Sequence, residues 1–521
     1  MVDGFHAALR DPAAAQARRL RTILDGMAGT AFARAHGLDR VRSLAELQAA
    51  VPIRTHAELQ PWLDRVADGE RGVLTRQGVD MLLETSGTTG RPKHLPVTRA
   101  WADSVAEAQT LWTLGLVRAH EGVSRGKALT IVSAVRHARS PGGLPIGSNT
   151  GRMHEEMPWY VRLRYPVPVE VFSLPAAARM YALLRFALPA RVTSITTANP
   201  STLLLLGRRL EEWREDLSCD LAEGSLRGGP AAALDPGLRR RLERRLRRAR
   251  PPTGPWTPAS LWPLAAVCCW TDGPAAYFAA RLPASLGGPV PIHPVGVTAS
   301  EGYFAVPLAS DWPGGVLHTT GHLLELVDDS GAARPAHQAE LGERLRLVIT
   351  TEAGLCRYDM QDMVEVVGRC ESTPVVRFIG KAGRYLNALG ERVTEAQLSA
   401  AAAAAATATG LHPVGFNARL ELDLVPRYRI ALEGLMSGAA DAFAVAMDAA
   451  LAEQNIEYQG RRTSDRLGAP QAEVLPAGTL LAFRQRRVAQ GAPDGQVKDP
   501  VMSLDEAEWG AIRAAAEEAR R

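Results

Sequence analysis

Apolar residues recur at helical spacing through about the first 70 residues, most clearly in FHAALRDPAAAQARRLRTILDGM and SLAELQAAV. Repeats of three to four residues place apolar side chains on one face of a helix. Pro52 and Pro61 are typical helix breakers, so we expect them to interrupt these helices. An apolar run from Val79 to Leu83 then predicts a strand, and residues 99–116 predict the helix that follows it.

Strand and helix patterns alternate through the next part of the chain. Continuous apolar runs predict buried strands at residues 128–135 and 192–198. Helical spacing recurs at residues 174–187, 200–217 and 275–286. Such alternation is typical of an α/β fold with a largely parallel sheet. Residues 135–170 are rich in Gly, Pro and Arg and predict a long surface loop or a pocket wall.

The pattern changes again in the last third of the chain. Short apolar runs separated by turns predict a β-rich subdomain at residues 315–380. Beyond Gly380 the pattern predicts a separate smaller α+β domain. Its predicted elements are a helix at 395–408, strands near 413–432, and helices near 438–453 and 503–520. We therefore expect an amino-terminal domain at 1–380 and a carboxy-terminal domain at 381–521.

Composition narrows the class of protein. The 521 residues are 46% apolar and 22% charged, as in ordinary globular proteins. The net charge of +4 is nearly balanced, and the arginine-rich run at 238–250 is typical of a solvated helix face, so we expect no nucleic-acid partner. The five cysteines lack repeated C-x-x-C spacing, which argues against a zinc site or a disulfide framework. With neither a signal-peptide pattern nor an apolar run of bilayer length, we expect a soluble cytoplasmic protein without membrane contact.

The segment from Thr85 to Lys93, TSGTTGRPK, has the most distinctive chemistry in the chain. Its glycines allow backbone N–H groups to converge on an oxyanion, while hydroxyl side chains and Lys93 add donors and positive charge. Together these groups suit a polyphosphate. The glycine spacing is not that of a Walker A loop. An ordinary turn can have the same composition, so the segment alone leaves both interpretations open.

Two further motifs follow in the chain, VTASEG at 297–302 and RYDMQD at 357–362. In this order the three motifs resemble those of the adenylate-forming superfamily, which includes acyl-CoA synthetases, firefly luciferase and peptide-synthetase adenylation domains. The segments LRLVITTEAGLCRYDMQDMVEVVG and PVVRFIGKAGRYLNALGERVTEAQL resemble, more narrowly, the acyl acid amido synthetases first known as plant auxin-responsive Gretchen Hagen proteins, which have bacterial relatives. The similarity is nearly full length.

The resemblance implies a role for each matched residue. The ATP phosphates would be held by Ser86, Gly87, Thr88, Thr89 and Gly90, with Lys93 beside them. Glu301 would act in catalysis and bind Mg²⁺ near the α-phosphate. Asp362 would accept hydrogen bonds from both ribose hydroxyls, and Lys498 would stabilise charge during adenylation. The remaining residues expected at the nucleotide are Val297, Thr298, Ala299, Ser300, Tyr358 and Lys381.

The resemblance also implies a reaction. An ATP-dependent ligase would adenylate a carboxylic acid, release pyrophosphate, and transfer the acyl group to an amine, that of an amino acid, forming an amide. The carboxy-terminal domain would rotate between the half-reactions, and Gly380 and Gly383 are small residues suited to such a hinge. Two alternatives stay open: a ligase that forms a thioester with coenzyme A or a carrier protein, and a non-catalytic ligand-binding member.

Several positions depart from the family pattern. The family has an aromatic residue, which stacks on adenine, where this chain has Val297. Its tyrosine, arginine and glycine in the third motif are Cys356, Asp359 and Gln361 here. Glu301 and Asp362 are retained, so we still expect adenylation. Taken singly, Glu301, Asp362 and Lys498 are also compatible with a loop, a turn and a surface position.

Overall fold

The computed structural model describes residues 2–85, 93–132, 136–389, 391–423, 425–464, 466–490, 492 and 497–521. Contacts divide the chain into two compact units. The first unit comprises Met1–Trp270, Arg281–Met360 and Val364–Arg377. The second unit comprises Thr271–Ala280, Gln361–Met363 and Phe378–Arg521. Within the described residues, no helix is both long enough and apolar enough to cross a lipid bilayer.

The first unit begins with the predicted amino-terminal helices. Its α-helices are α1 (Val2–Arg10), α2 (Pro12–Met27), α3 (Ala31–Ala35), α4 (Leu44–Ala50), α5 (His56–Ala67), α6 (Arg99–Ala119), α7 (Asn149–Glu156), α8 (Trp159–Arg162), α9 (Ala176–Ala187), α10 (Pro200–Glu212), α11 (Arg214–Glu223), α12 (Pro236–Glu243), α13 (Pro258–Leu261) and α15 (Leu282–Leu286). Ser43 and Glu46 form a capping box at the start of α4, and Thr55 and Glu58 form one at the start of α5.

The prediction for Pro61 is wrong, because this residue lies inside α5. A proline there removes one backbone hydrogen bond of the helix. The helix continues because it buries Leu59, Leu63 and Val66, which share one face. Pro52 lies outside the helices, as predicted.

The strands described in this unit form three sheets. They are β1 (Met81–Thr85), β2 (Lys93–Val97), β3 (Lys127–Thr130), β4 (Arg136–Arg139), β5 (Pro145–Gly147), β6 (Val192–Thr196), β7 (Ala266–Cys269), β8 (Ile292–Pro294), β9 (Val297–Ala299), β10 (Gly302–Val306), β11 (Gly315–Leu317), β12 (Leu323–Val327), β13 (Ala333–Pro335), β14 (Arg344–Thr350), β15 (Tyr358–Cys370) and β16 (Thr373–Lys381). Parts of β15 and β16 belong to the second unit.

Sheet topology agrees with the α/β prediction in one sheet and differs in another. The sheet β3-β6-β7-β8 is parallel throughout, and helices connect its strands, as the alternating pattern predicts. The sheet β2-β1-β5-β4 is mixed, since β1 pairs antiparallel with β2 and parallel with β5. The eight-stranded sheet β13-β12-β14-β15-β16-β11-β10-β9 accounts for the β-rich segment predicted at 315–380.

Of the two expectations for 135–170, the long surface loop is wrong, and the pocket wall stays a prediction. The segment contains β4, β5, α7 and α8. Its Gly and Pro content hid these short elements, whose hydrogen bonds come from distant partners: Ile146 and Gly147 pair with Leu82 and Leu83 of β1. The hydroxyl of Ser148 caps α7 by accepting a hydrogen bond from the Gly151 N–H at 3.0 Å.

The second unit surrounds a four-stranded sheet of order β21-β20-β19-β22. Its elements are α14 (Ala275–Ala279), β17 (Tyr385–Leu386), β18 (Val393–Thr394), α16 (Glu395–Thr409), β19 (Gly415–Glu421), β20 (Arg427–Glu433), α17 (Ser437–Gln454), α18 (Ile456–Thr463), β21 (Gln471–Leu475), α19 (Thr479–Ala489), β22 (Met502–Ser503) and α20 (Glu506–Ala519). The segment 271–280 joins this unit through Tyr277, whose hydroxyl donates to the Pro413 carbonyl at 3.1 Å. The tyrosine ring also lies edge-on to Phe416.

Candidate active site

The predicted phosphate loop connects β1 and β2. These strands pair antiparallel in a register that places Thr85 opposite Lys93 and Glu84 opposite His94. Ser86, Gly87, Thr88, Thr89 and Gly90 lie outside the described residues, so their predicted role stays a prediction. Glu84 is buried, and its carboxylate lies 3.7 Å from Nε2 of His94. The hairpin therefore places Lys93 at the base of the segment.

Glu301 lies in the turn between β9 and β10 and is half-buried. Its backbone carbonyl accepts a hydrogen bond of 2.8 Å from the indole N–H of Trp101. Its carboxylate lies 3.5 Å from the hydroxyl of Tyr358, which donates to it. Trp101 belongs to α6, which follows β2 directly. The second motif is thus held by the helix that leaves the phosphate-loop hairpin.

The residues before Glu301 in the second motif form the edge strand β9 and the start of the turn, and they differ in how far they are buried. Val297 pairs with Ala305 and is only 5% exposed, so its side chain belongs mainly to the core. Thr298, Ala299 and Ser300 are half-buried. The Thr298 hydroxyl donates to the Gly302 carbonyl at 3.3 Å, which closes the turn.

The third motif is anchored by a buried ion pair. Nε and Nη2 of Arg357 donate to the two carboxylate oxygens of Glu325 at 3.0 and 2.9 Å. Nη1 of Arg357 also donates to the Val51 carbonyl at 2.7 Å. The backbone of Arg54 bonds on both sides of Tyr358, to the Arg357 carbonyl and the Asp359 N–H. These contacts fix Tyr358, which is 2% exposed.

His56 connects the first and third motifs. Its ring lies edge-on to that of Tyr358, with 6.4 Å between centroids. Burial and the nearby charge of Lys93 lower the pKa of His56 from 6.5 to about 4. The base of the first motif, the carboxylate of the second and the tyrosine of the third therefore converge around His56 and Tyr358 in the first unit.

The other half of the third motif belongs to the second unit. Nζ of Lys381 lies 2.5 Å from the carboxylate of Asp362, whose side chain is 8% exposed. The Ala382 N–H donates to the Gln361 carbonyl at 2.6 Å. Gly380 and Gly383 have φ of +147° and +72°, backbone conformations that favour glycine. Asp362 and Lys381, both predicted at the nucleotide, are therefore direct partners.

Lys498 is exposed, and its ammonium lies 5.7 Å from the ring centroid of Phe378. The carbonyl of the preceding residue, Val497, accepts a hydrogen bond of 3.3 Å from Arg484. Both contacts lie within the second unit. They place Lys498 beside an aromatic ring of β16, and its catalytic role stays a prediction.

No group of three or more His, Cys, Asp or Glu side chains in the described part of the chain is arranged to hold a metal ion. Mg²⁺ commonly binds one or two carboxylates and completes its octahedron with water and substrate phosphates. The half-buried carboxylate of Glu301, which accepts a hydrogen bond from Tyr358, fits that mode of binding.

Comparison with known proteins identifies the family. The profile of the GH3 family N-terminal domain matches residues 1–292, which is more than half of the chain. This chain belongs to the GH3 family. The profiles of the GH3 family central and C-terminal domains match residues 323–381 and 395–507.

Curated relatives of this GH3 chain are amide-forming ligases. It is 25% identical to the probable indole-3-acetic acid-amido synthetase GH3.2 of Oryza sativa subsp. japonica, over 94% of this chain and 88% of the relative. It is 23% identical to the jasmonoyl–L-amino acid synthetase JAR4 of Nicotiana attenuata, over 96% and 92%. The predicted family and enzyme class are confirmed.

A solved structure confirms the fold. The AtGH3.15 acyl acid amido synthetase in complex with 2,4-DB superposes with a TM-score of 0.85 at 19% identity. The match covers 98% of this chain and 95% of that one. The adenylate-forming fold predicted from the motifs is therefore the fold of this GH3 chain.

Sequence reasoning did not single out three groups that hold the site together. They are Trp101, which binds the Glu301 carbonyl, His56, which lies between two motifs, and Glu325, which pairs with Arg357. Trp101 and His56 each lie near the first turn of a helix, which is a weak signal. Glu325 lies in the buried strand β12. A buried charge requires a partner, so a glutamate within an apolar strand pattern could have indicated an ion pair from the sequence.

Proposed function

We propose that this GH3 chain adenylates a small carboxylic acid with ATP and transfers the acyl group to the amine of an amino acid. The convergence of Lys93, Glu301 and Tyr358 in the first unit carries the proposal. It brings together residues of three separate motifs: a cation suited to phosphate, a carboxylate suited to Mg²⁺, and a phenol that donates to that carboxylate. The named relatives act on indole-3-acetic acid and jasmonate, which favours an acid of comparable size here.

In this proposal the first motif binds the phosphates of the nucleotide and the third motif binds its ribose. The segment from Ser86 to Gly90 binds the phosphates with its backbone N–H groups, and Lys93 adds positive charge. Thr298, Ala299 and Ser300 line the junction of nucleotide and acyl group. Asp362 accepts hydrogen bonds from the ribose hydroxyls, for which Lys381 must release or share the carboxylate. Val297, whose side chain is mostly in the core, would support the adenine from beneath rather than stack on it as an aromatic ring does.

Glu301 is the proposed protein ligand of Mg²⁺. When bound, Mg²⁺ would supply electrostatic stabilisation of the phosphate charge. Trp101 holds the Glu301 backbone, and Tyr358 donates to its carboxylate, so the side chain is already oriented toward its task. Such preorganisation removes a reorganisation cost at the moment of reaction.

The first half-reaction forms one bond and breaks another at the α-phosphorus. A carboxylate oxygen of the acid attacks, and pyrophosphate leaves with the electrons of the broken P–O bond. The product is a mixed anhydride, whose acyl carbon is far more electrophilic than that of the carboxylate. Lys498 stabilises the negative charge that develops on the α-phosphate and acyl oxygen.

The second half-reaction transfers the acyl group. A neutral amine attacks the acyl carbon, AMP leaves with the electrons of the C–O bond, and the nitrogen loses a proton. We propose that residues 381–521 move as a domain between the two steps, with Gly380 and Gly383 absorbing the change in backbone angles.

An acid-dependent pyrophosphate-exchange assay tests the proposal. A panel of aryl, indolyl, oxylipin and fatty acids is screened with Mg²⁺ and ATP, and active acids are then incubated with amino acids and analysed by mass spectrometry. Glu301→Gln and Asp362→Asn should each lower exchange by about 10²-fold or more if they hold charge in the transition state. Glu371→Gln, on an exposed turn, is the matched control and should leave exchange unchanged.

The outcomes separate the alternatives. Exchange followed by amide formation supports the proposal. Exchange with a product only when coenzyme A or a carrier thiol is supplied identifies a thioester ligase instead. Acid or ATP binding without exchange for any acid would identify a non-catalytic member of the family.

A further inference from the structure

A buried ion-pair network lies in the first unit behind the second motif. Its centre is Glu352, whose side chain is 4% exposed. Nη1 of Arg19 lies 2.6 Å from one carboxylate oxygen, to which the Ser104 hydroxyl donates at 3.2 Å. Nδ1 of His322 lies 3.4 Å from the other. Three different elements thus meet on one carboxylate.

The protein fixes His322 through its backbone as well. The side-chain amide of Gln16 donates to the carbonyl oxygens of Thr319 and His322 at 2.7 and 2.8 Å. Its oxygen accepts from the N–H of Leu324 at 2.8 Å. Gln16 and Arg19 both lie on α2 and therefore hold this segment together. The imidazole is 1% exposed, its backbone is held by Gln16, and its Nδ1 faces the Glu352 carboxylate, so the close-packed surroundings restrict how the ring can turn.

The opposite edge of the His322 ring faces Gly302, the residue after Glu301. A Cβ atom built on Gly302 would lie 2.5 Å from Nε2 of His322 and 2.9 Å from its Cδ2. It would also lie 2.9 Å from Cε1 of Phe304, which is fully buried. Real Cβ atoms do not approach other atoms so closely. The imidazole therefore limits how far the backbone at Gly302 can approach the core.

Helix α6 holds the same turn from another direction. Trp101 donates to the Glu301 carbonyl, and Ser104, on the same helix, donates to Glu352 and alternatively to the Gly321 carbonyl at 3.1 Å. The turn at Glu301 is therefore located by one hydrogen bond from α6 and by one ring edge. Both supports connect to Glu352: α6 through the Ser104 hydroxyl, and the ring through Nδ1 of His322.

We propose that His322, oriented by Glu352 and Arg19, is a positioning residue for adenylation: its ring edge sets the backbone at Gly302 and, through it, the carboxylate of Glu301. This inference rests on the proposed function of Glu301. The other interpretation of the cluster is a polar part of the core that contributes to stability alone. The two interpretations differ in whether Gly302 and His322 are coupled in activity.

A double-mutant cycle tests the coupling. Gly302→Ala introduces the methyl group that meets the ring. His322→Asn keeps a donor near the position of Nδ1, facing Glu352, and removes the Nε2 edge. Gly288→Ala is the matched control, because a Cβ at Gly288 meets only Ala259 at 3.7 Å, an ordinary contact. Each variant is measured for melting temperature, pyrophosphate exchange and the Mg²⁺ concentration at half-maximal rate.

We expect Gly302→Ala to lower exchange by about 10- to 100-fold and to raise the Mg²⁺ concentration needed. In the double variant the ring edge is absent, so exchange should recover to within a few-fold of His322→Asn alone, with Phe304 preventing full recovery. Gly288→Ala should behave as the wild type. Multiplicative losses in the double variant, or a Gly302→Ala variant with unchanged exchange, would overturn the inference.

A second readout does not depend on activity. The indole N–H resonance of Trp101, assigned with Trp101→Phe, reports on its hydrogen bond to Glu301. It should shift in Gly302→Ala and return toward its wild-type position in the double variant. If the wild type shows no exchange but the resonance follows this cycle, the proposed function fails and the role in adenylation fails with it, while the structural part, in which the ring edge sets the backbone at Gly302, holds. An unshifted resonance in folded Gly302→Ala overturns the positioning itself.

Discussion

Arg357 and Glu325 form a two-point ion pair in the core of the first unit, with side chains 5% and 1% exposed. The guanidinium additionally reaches the Val51 carbonyl, so one side chain connects β12, β15 and the segment before α5. Because Tyr358 is the next residue, the pair determines where the phenol meets Glu301. Arg357, for which no contact to substrate is proposed, therefore contributes to the candidate site by positioning Tyr358.

Breaking this pair on one side should destabilise the first unit strongly. Glu325→Gln leaves the Arg357 charge buried without its counterion, which typically costs about 3 kcal/mol or more. We expect a matching fall in the free energy of unfolding, measured by denaturant titration. Glu70→Gln, which breaks the exposed Arg65–Glu70 pair, is the control and should change stability little. Equal stability of the two variants would contradict the prediction.

His56 should make stability depend on pH. Its folded pKa of about 4 is lower than its ordinary 6.5, so the folded state binds fewer protons than the unfolded state between these values. This contribution is complete above pH 6.5 and is lost as the pH falls toward 4. His56→Gln should therefore lose less stability than the wild type between pH 7 and pH 5, by denaturant titration at both values. Parallel losses would argue against a neutral His56.

The charge of Lys93 should have a measurable effect on the pKa of His56. Burial is the larger cause of the lowered pKa, and Lys93 is the next. Lys93→Gln should therefore move the His56 pKa upward, but not fully to 6.5, in an NMR titration of the imidazole. Lys127→Gln is the control, because Lys127 is not among the groups that act on His56. An unchanged His56 pKa in Lys93→Gln would place the ammonium elsewhere.

Gln361 adopts a backbone conformation that favours glycine, with φ of +59°. A non-glycine residue there costs roughly 1–2 kcal/mol, and the greater freedom of glycine in the unfolded chain offsets part of the gain. We expect Gln361→Gly to raise the free energy of unfolding of the second unit by up to about 1 kcal/mol. Gln471→Gly, within β21, should lower it instead. Losses in both variants would show that the Gln361 side chain outweighs its strain.

The Trp101 hydrogen bond should matter to activity more than its energy alone suggests. Trp101→Phe keeps an aromatic ring but removes the donor to the Glu301 carbonyl, worth about 1 kcal/mol. We expect pyrophosphate exchange to fall by about 10-fold, since the catalytic turn loses a support. Trp262→Phe loses a comparable buried bond, to the Ala187 carbonyl at 3.1 Å. If both variants lower exchange equally, the effect is one of general stability.

Local patterns predicted the long elements well. The amino-terminal helices, the parallel strands at 127–130 and 192–196 and the helix at 395–409 follow from periodicity. The segment 135–170 did not, because β4 and β5 are short, and β5, on which β4 pairs, itself pairs with a strand some 60 residues away. Such pairing is set by tertiary contacts, which a local pattern does not contain.

The candidate site was predictable only in part. Resemblance proposed roles for Glu301 and Asp362, which stay predictions, and it noted that Gln361 stands where the family has glycine, without a reason. The backbone angle at Gln361 supplies that reason. The partnership of Asp362 with Lys381 and the support of Glu301 by Trp101 needed coordinates, because each joins residues whose separation in sequence gives no signal.

The turn at Glu301 is held mainly through its main chain: a carbonyl bound by an indole and a glycine α-carbon set against a ring. Side chains at Ala299 and Ser300 take no part in these supports. Mutation at those two positions can therefore alter what lies beside the turn while the carboxylate stays in place. Under the proposed function, in which these residues line the junction of nucleotide and acyl group, substitutions there would change the choice of acid and leave the Glu301 carboxylate where it is.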